Sequence, residues 1–410
     1  MAVKEKVFKW LEASVSAMVE LETLLSSIPA IAPESGGQGE MKKAEALVGW
    51  LGSKGIHEIE RYDAPDSRVP GGKRPNVIAT IPGSGADSDG RIWIMSHLDV
   101  VPEGDRSMWE SDPFVVLHRD GRVYGRGVED NQQGLVGSVF AALAILASGA
   151  VPARTVKLLF VADEEVGSAY GIQYLLRTQR LFREEDLIIV PDGGNAEGSE
   201  IEVAEKNLCW LKVVTKGKQC HGSTPDEGAN AFLAASDLVL RAHELERTVF
   251  NARDPLFQPD RTTISPTKKE ANVPNVNTIP GDDVFYLDMR VLPRYPIDQV
   301  LAELSREMRK VEAKHGVKMS LEAVQRNESR PTPPDAPVVR RLAAAVKEVY
   351  GVEAKPIGIG GGTVGAYLRN AGFDCVVWSR LDETAHQPNE YASLANIVGD
   401  AKVFATLMLG

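Results

Sequence analysis

Cysteine is scarce in this chain: three residues in 410, Cys209, Cys220 and Cys375. None sits in a C-x-x-C pair, which excludes a disulfide scaffold and a thiolate zinc site and points to a reducing compartment, the cytoplasm. An excess of positive charge is missing too. Lys and Arg number 46 against 57 Asp and Glu, a formal net charge of −11, so the basic footprint of a nucleic-acid binder is not expected. The N-terminus carries charge where a signal peptide would place its apolar core. Phe8, Leu11, Val15, Val19 and Leu25, at helical spacing, predict an amphipathic first helix there instead. One stretch, residues 131–153, has no charged side chain and is long enough for a bilayer. Its glycines and serines, the polar run that opens it and the strand directly after it predict a helix buried inside an α/β protein, and no membrane partner.

Short apolar runs alternate with helical periods at both ends of the sequence, the pattern of parallel strands joined by crossover helices. Buried strands are predicted at 92–95, 156–162, 187–190 and 375–378, and helices at 4–27, 41–54, 133–148, 335–350 and 390–408. Residues 36–39 and 65–75 are predicted to be flexible loops. The middle reads as strand, helix, strand, helix, strand, near 210–215, 229–249, 284–290, 297–314 and 318–324. That is the size of a small domain. The expected organisation is a discontinuous α/β domain, 1–206 with 324–410, into which residues 207–323 are inserted.

Chemistry-bearing residues gather where the predicted strands end. Ser-His97-Leu-Asp99 places two side chains on one face at a strand terminus, and strand C-termini are where open α/β sheets build their sites. A carboxylate beside a His also suits an imidazole held for a metal. Asp130 closes Gly-Arg-Gly-Val-Glu-Asp just before the uncharged helix; alone, such an Asp is more often a helix N-cap. The strand at 156–162 runs into Asp163-Glu164-Glu165, three acids that repel unless cations or shared protons relieve them. Neighbouring residues of extended chain point opposite ways, so one Glu can hold a metal while the other serves as general base. A solvated acidic turn is the plain alternative. Asp192 and His386 stand at comparable positions, each unremarkable by itself. Together, two His and several carboxylates without thiolates form a ligand set for paired Zn²⁺, Co²⁺ or Mn²⁺, a two-metal hydrolytic centre.

With these motifs in order, His-Leu-Asp-Val-Val-Pro, Gly-Arg-Gly-x-x-Asp, Asp-Glu-Glu-x-Gly-Ser and Ala-His-x-Pro-Asn-Glu, the sequence resembles the dinuclear-zinc aminoacylase and exopeptidase family over nearly its whole length. Acetylornithine deacetylase and succinyl-diaminopimelate desuccinylase are members. The resemblance implies a zinc-exopeptidase-like domain with a mixed, mostly parallel sheet flanked by helices, and an inserted α+β, ferredoxin-like lid and dimerisation domain. It implies hydrolysis of an amide bond in an N-acyl amino acid or small peptide by two divalent cations, zinc first among them, in a homodimer. His97 and Asp192 would hold one metal, Glu165 and His386 the other, with Asp130 bridging. Asp99 would orient His97, and Glu164 would be the general base. Within the insert, His221 resembles the His that stabilises the oxyanion in a partner subunit's site. Asn277 and Arg290 match substrate-holding positions, the Arg clamping a carboxylate, and Gly362 with Thr363 matches a loop whose backbone donors contact substrate. Many relatives have Asp-Met-Lys-Gly where this chain has Asp130-Asn-Gln-Gln-Gly, and the desuccinylase branch favours Glu at position 192. Substrate choice is encoded at such positions.

Two rival readings carry less. Gly360 to Gly365 satisfies G-x-G-x-x-G, but Pro356 and Gly358 interrupt the preceding strand and the helix after it is short, against a nucleotide site. A non-catalytic binding protein of the same fold would have lost a ligand or Glu164, and each position is filled.

Overall fold

The apolar runs at both ends of the chain form one eight-stranded sheet. In spatial order its strands are Ile59–Arg61, Val77–Ile81, Val156–Val161, Ile92–His97, Leu187–Asn195, Cys375–Arg380, Glu200–Glu205 and Lys355–Ile359. This computed structural model describes residues 2–410. The chain divides into two compact units: residues up to Val203 with Thr332–Pro356 and Tyr367–Gly410, and Ala204–Pro331 with Ile357–Ala366. The second unit therefore continues past the expected boundary at 323, because its last strand runs to Asn327, and it gains a short segment from far along the chain.

The central strands Val156–Val161, Ile92–His97, Leu187–Asn195 and Cys375–Arg380 run parallel. Val77–Ile81 and Glu200–Glu205 join them antiparallel from either side. Every residue of Ile92–His97 is buried, as in a sheet covered on both faces, which is why these strands read as unbroken apolar runs. The helix Gly134–Ala147 is buried along nearly its whole length and packs against Leu394–Leu409 and Val3–Ala13. The uncharged stretch is thus a core helix; among the described residues no helix is long and apolar enough to cross a membrane.

Some helix boundaries differ from expectation. The first helix is two, Val3–Ala13 and Val15–Ser26. Between them, Ser14 turns its hydroxyl to the Trp10 carbonyl at 2.7 Å, a local side-chain bond that competes with the helix ladder. The last helix begins at Leu394, because Tyr391–Ser393 is taken up as a strand against Arg122–Tyr124.

The second unit is a four-stranded antiparallel sheet in the order Thr263–Lys269, Asp282–Val291, Asn207–Lys216, Lys318–Asn327, with helices Ala231–Thr248 and Ile297–His315. Its chain order is βαββαβ, the ferredoxin-like arrangement. Along Asp282–Val291 burial alternates residue by residue, with Phe285, Leu287, Met289 and Val291 inward. They meet Leu238 and Leu245 of one helix and Val300 and Leu304 of the other in a single core.

Candidate metal centre

The four parallel strands all end at one edge of the sheet, and each delivers part of a cluster there. Ile92–His97 ends on His97, the turn after Val156–Val161 carries Glu164 and Glu165, Leu187–Asn195 contains Asp192, and the loop after Cys375–Arg380 carries His386. Asp130 arrives from the irregular turn Val128–Gln133 that opens the buried helix. Gly127 begins that turn with φ 83°, and a Cβ there would stand 2.4 Å from Val100 Cγ1. Only glycine fits a positive φ this close to a packed side chain.

Asp130 is the hinge of the arrangement. One carboxylate oxygen stands 2.9 Å from His97 Nε2 and the other 3.1 Å from His386 Nε2. Asp192 Oδ1 is 3.6 Å from His97 Nε2, and Glu165 Oε2 is 3.1 Å from His386 Nε2. Two three-residue groups result, His97 with Asp130 and Asp192, and Asp130 with Glu165 and His386; within each the ligand atoms lie within 4.8 Å of one another.

Charge in this cluster is strongly displaced. Burial disfavours the His97 cation, yet Asp192 and Asp130 push the imidazole well above its usual range. Hydrogen bonds to Asp130 and then Glu165 raise His386 to about 10. Burial works against the Asp130 anion, but the two imidazoles hold its carboxyl below the usual range. Burial raises Asp192 to about 6. Burial and then Asp192 push Glu164 well above the ordinary carboxyl range. The raised imidazoles and the carboxylates beside them balance one another's charge, the balance that divalent cations would otherwise supply.

The residues fit divalent cations. The donors are two imidazoles and three carboxylates, the set preferred by zinc and its borderline neighbours. Glu165 Oε1 is moreover buried with no hydrogen-bond partner among the described residues, a cost that a ligated ion would relieve.

Three supporting residues had no role in the sequence reading. Asn131 donates to the Pro191 carbonyl at 2.6 Å and to Asp192 Oδ1 at 2.9 Å, and accepts the His97 backbone N–H at 3.3 Å. It thereby ties the strand that ends on His97 to the strand that carries Asp192. Arg74 and Glu40 form a fully buried ion pair, and Arg74 reaches Asp163 at 3.2 Å. Of the three adjacent acids, Asp163 thus turns away to a guanidinium, at φ 68°, and only Glu164 and Glu165 face the cluster. The carboxylate of Asp99 accepts the backbone N–H of Glu164 and of Glu165, each at 3.0 Å.

The remaining residues singled out from the sequence belong to the second unit. His221 and Asn277 are neighbours there: His221 pairs with Thr278 in a two-stranded ladder, and the Gly222 N–H donates to the Asn277 carbonyl at 2.7 Å. His221 is exposed, its Nδ1 2.7 Å from Ser223 Oγ. Arg290 donates to Asp288 at 2.7 and 3.1 Å and to the Gly360 carbonyl at 2.5 Å. The glycine loop is anchored by Thr363, whose N–H and hydroxyl reach Glu205 at 3.1 and 2.5 Å. A Cβ at Gly362 would stand 3.4 Å from Asn327 Nδ2.

Residues 93–410 match peptidase family M20/M25/M40. The chain belongs to that family. An uncharacterized metallohydrolase of Methanococcus maripaludis is 37% identical over 95% of this chain and 98% of its own. The succinyl-diaminopimelate desuccinylase of Delftia acidovorans is 27% identical over 93% of this chain and 95% of its own. Among solved structures, aminopeptidase PepT from Bacillus cereus superposes with a TM-score of 0.76 at 17% identity, covering 96% of this chain and 98% of that one. As a member of M20/M25/M40 the chain is a metal-dependent hydrolase of amide bonds. The nucleotide-binding and non-catalytic readings gain no support from these likenesses.

Proposed function

We propose that this hydrolase cleaves an N-acyl amino acid or a small peptide, with two divalent cations, zinc in the first place, held by its strand-end cluster. His97 and Asp192 would take one, Glu165 and His386 the other, with Asp130 between them. The observation that carries this reading is the placement of the two Asp130 oxygens, each against the Nε2 of a different imidazole. One carboxylate shared in this way is what a bridging ligand requires. Bound there, such ions supply Lewis acidity toward the carbonyl oxygen and activate water at neutral pH.

Glu164 takes the proton of the attacking water and returns it to the departing amine. Burial beside Asp192 moves its carboxyl up from the ordinary range, toward the values at which a general base also serves as an acid. Asp99 holds the turn that presents it. Arg290 pairs a fork of N–H donors with a substrate carboxylate, and Asn277 with the Gly362–Thr363 loop borders the substrate. His221, from a second copy of the chain, donates to the oxyanion. The inserted domain is the lid and the dimer surface. Exposed Phe232, Leu233 and Leu240 on one helix, with a groove of about 490 Å³ between Phe232, Leu240 and Phe285, support that role. All three cysteines are free thiols, in keeping with a cytoplasmic setting.

The test is titration of chelator-stripped protein with Zn²⁺, followed by assay on N-acyl amino acids, N-succinyl substrates included, and on dipeptides. Two equivalents bound, with uptake reduced toward one and turnover lost in His97→Ala, are expected. Glu164→Gln should keep both equivalents and lose about 10²–10⁴-fold in kcat. Unchanged turnover in Glu164→Gln would remove it as the base, and a folded protein that takes up no metal would overturn the reading.

A further inference from the structure

The loop that carries Asp130 and the loop that carries His386 each contain an acid beside the ligand motif that binds no metal in the proposed scheme: Glu129 and Glu390. Each reaches across to the other loop. Glu390 is fully buried. Its Oε1 accepts the backbone N–H of Glu129 at 3.0 Å and of Asp130 at 3.1 Å; its Oε2 accepts the N–H of Gly127 at 3.0 Å and the Arg126 guanidinium at 2.6 Å. In the opposite direction, the Glu129 carboxylate accepts the Asp382 N–H at 2.7 Å, the Thr384 hydroxyl at 2.8 Å and the Thr384 N–H. Thr384 in turn accepts the Tyr391 N–H at 3.1 Å, closing the His386 loop on itself.

A backbone N–H in an irregular loop has no ladder partner, and burying it unpaired costs about 1–3 kcal/mol. These two loops bury several, and two carboxylates satisfy them crosswise. The ladder of Tyr391–Ser393 on Arg122–Tyr124 joins the two loops only at their bases, so beyond it the separation between Asp130 and His386 depends on Glu129 and Glu390. We propose that Glu129 and Glu390 are positioning residues of the metal centre, a reciprocal clasp that sets the distance between the bridging carboxylate and the His386 imidazole. The inference rests on the ligand assignment proposed above. Its two halves differ in consequence. Glu390 holds the Asp130 loop, whose carboxylate serves both ions, whereas Glu129 holds only the loop of His386. Removing Glu129 therefore loosens the His386 site and leaves the site of His97 and Asp192 as it was.

Calorimetric titration of the chelator-stripped full chain with Zn²⁺ separates the two, with His386→Ala identifying which of the two binding steps belongs to that imidazole. Glu129→Gln should weaken that step about 10–100-fold and leave the other unchanged, while Glu390→Gln weakens both. The visible absorption of the Co²⁺-loaded protein should change for one ion in Glu129→Gln and for both in Glu390→Gln. Two steps unchanged in Glu129→Gln, or two weakened equally as general loosening would do, overturn the clasp. A parent protein that binds no metal overturns the ligand assignment instead. Should Glu129→Gln fail to fold, Thr384→Val, which removes one donor of the same carboxylate, decides: selective weakening of the His386 step supports the clasp, and unchanged binding overturns it.

Discussion

Asp99 meets His97 through its backbone carbonyl, 2.9 Å from Nδ1, while its carboxylate oxygen stands 3.6 Å away. A carbonyl only accepts, so Nδ1 carries the proton and Nε2 is left to face Asp130. The carboxylate is committed elsewhere, one oxygen to each backbone N–H of Glu164 and Glu165. The close contact to His97 is thus made by the main chain, and the carboxylate's hydrogen bonds go to the turn that carries Glu164, the proposed general base.

That division of labour separates two effects of one substitution. Asp99→Asn keeps the main-chain contact to His97 but turns an amide N–H₂ toward one of the two donors in the Glu164 turn. Zinc affinity should change little, whereas kcat falls at least tenfold, read by calorimetry and steady-state kinetics on the same preparation. A 10–100-fold loss of affinity, the usual cost of removing a carboxylate that supports a ligand, would return the orienting role to the side chain.

The pH dependence of metal uptake follows from the imidazoles. His386 is raised to about 10 by Asp130 and Glu165, and His97 is raised as well, so both are cations in the metal-free protein at neutral pH. Ligation needs them neutral. Each ion therefore displaces a proton, and affinity should rise as pH increases below about 10. Titrations at pH 7 in buffers of different ionisation enthalpy should give different apparent heats; equal heats would mean that no protons leave. In the metal-free protein, folding stability runs the other way. A raised imidazole pKa contributes stability in full below the unfolded value of about 6.5 and loses it as pH climbs through about 10.

The strands and the residues of the strand-end cluster were legible in the sequence because both announce themselves locally. A strand covered on both faces is a short apolar run, and a cluster residue at its end is a His or acid at or shortly after that run, as at His97 and Glu165. Partners chosen across long sequence separations were not legible. Glu390 differs in no local way from any exposed acid, yet it binds the Gly127 N–H 263 residues away. The strand Thr263–Lys269 was missed for another reason: it is an edge strand with four of its seven residues exposed, so it lacks the alternation that marked Asp282–Val291. Residues 65–75 read as a flexible loop from their prolines and glycines. In the structure, the short ladder of Ala64–Pro65 with Lys73–Arg74 and the buried Arg74–Glu40 pair hold them.

Arg290, the proposed carboxylate clamp, is held in place by its own unit. Asp288 takes Nε and Nη2, and the Gly360 carbonyl takes Nη1, so the guanidinium is already fixed in the plane it would use. Arg290→Ala should raise KM for substrates with a free carboxylate about 10–100-fold, the worth of a charge-assisted hydrogen bond, and raise it far less for the matching carboxamides. Arg290→Lys should recover little, since an ammonium lacks the fork. Equal effects on acid and amide substrates would dismiss the clamp.

Gly134 opens the buried helix against the strand that carries Asp192. Its backbone is helical, φ −66° and ψ −41°, so alanine would favour the helix by about 1 kcal/mol on propensity alone. Sterics point the other way. A Cβ at Gly134 would stand 2.6 Å from the Pro191 carbonyl oxygen, the same oxygen that accepts the Asn131 amide at 2.6 Å. Backbone at that distance must move, and overpacking of this kind costs about 1–3 kcal/mol, which exceeds the propensity gain. The displaced residue adjoins Asp192, so the strain reaches the His97 site first. Gly134→Ala should lower the denaturation midpoint and weaken the zinc step that Asp192→Ala abolishes, while sparing the step that His386→Ala abolishes. A more stable Gly134→Ala protein with both steps intact would show that the helix shifts freely against the sheet, and that Asp192 is not held by this contact.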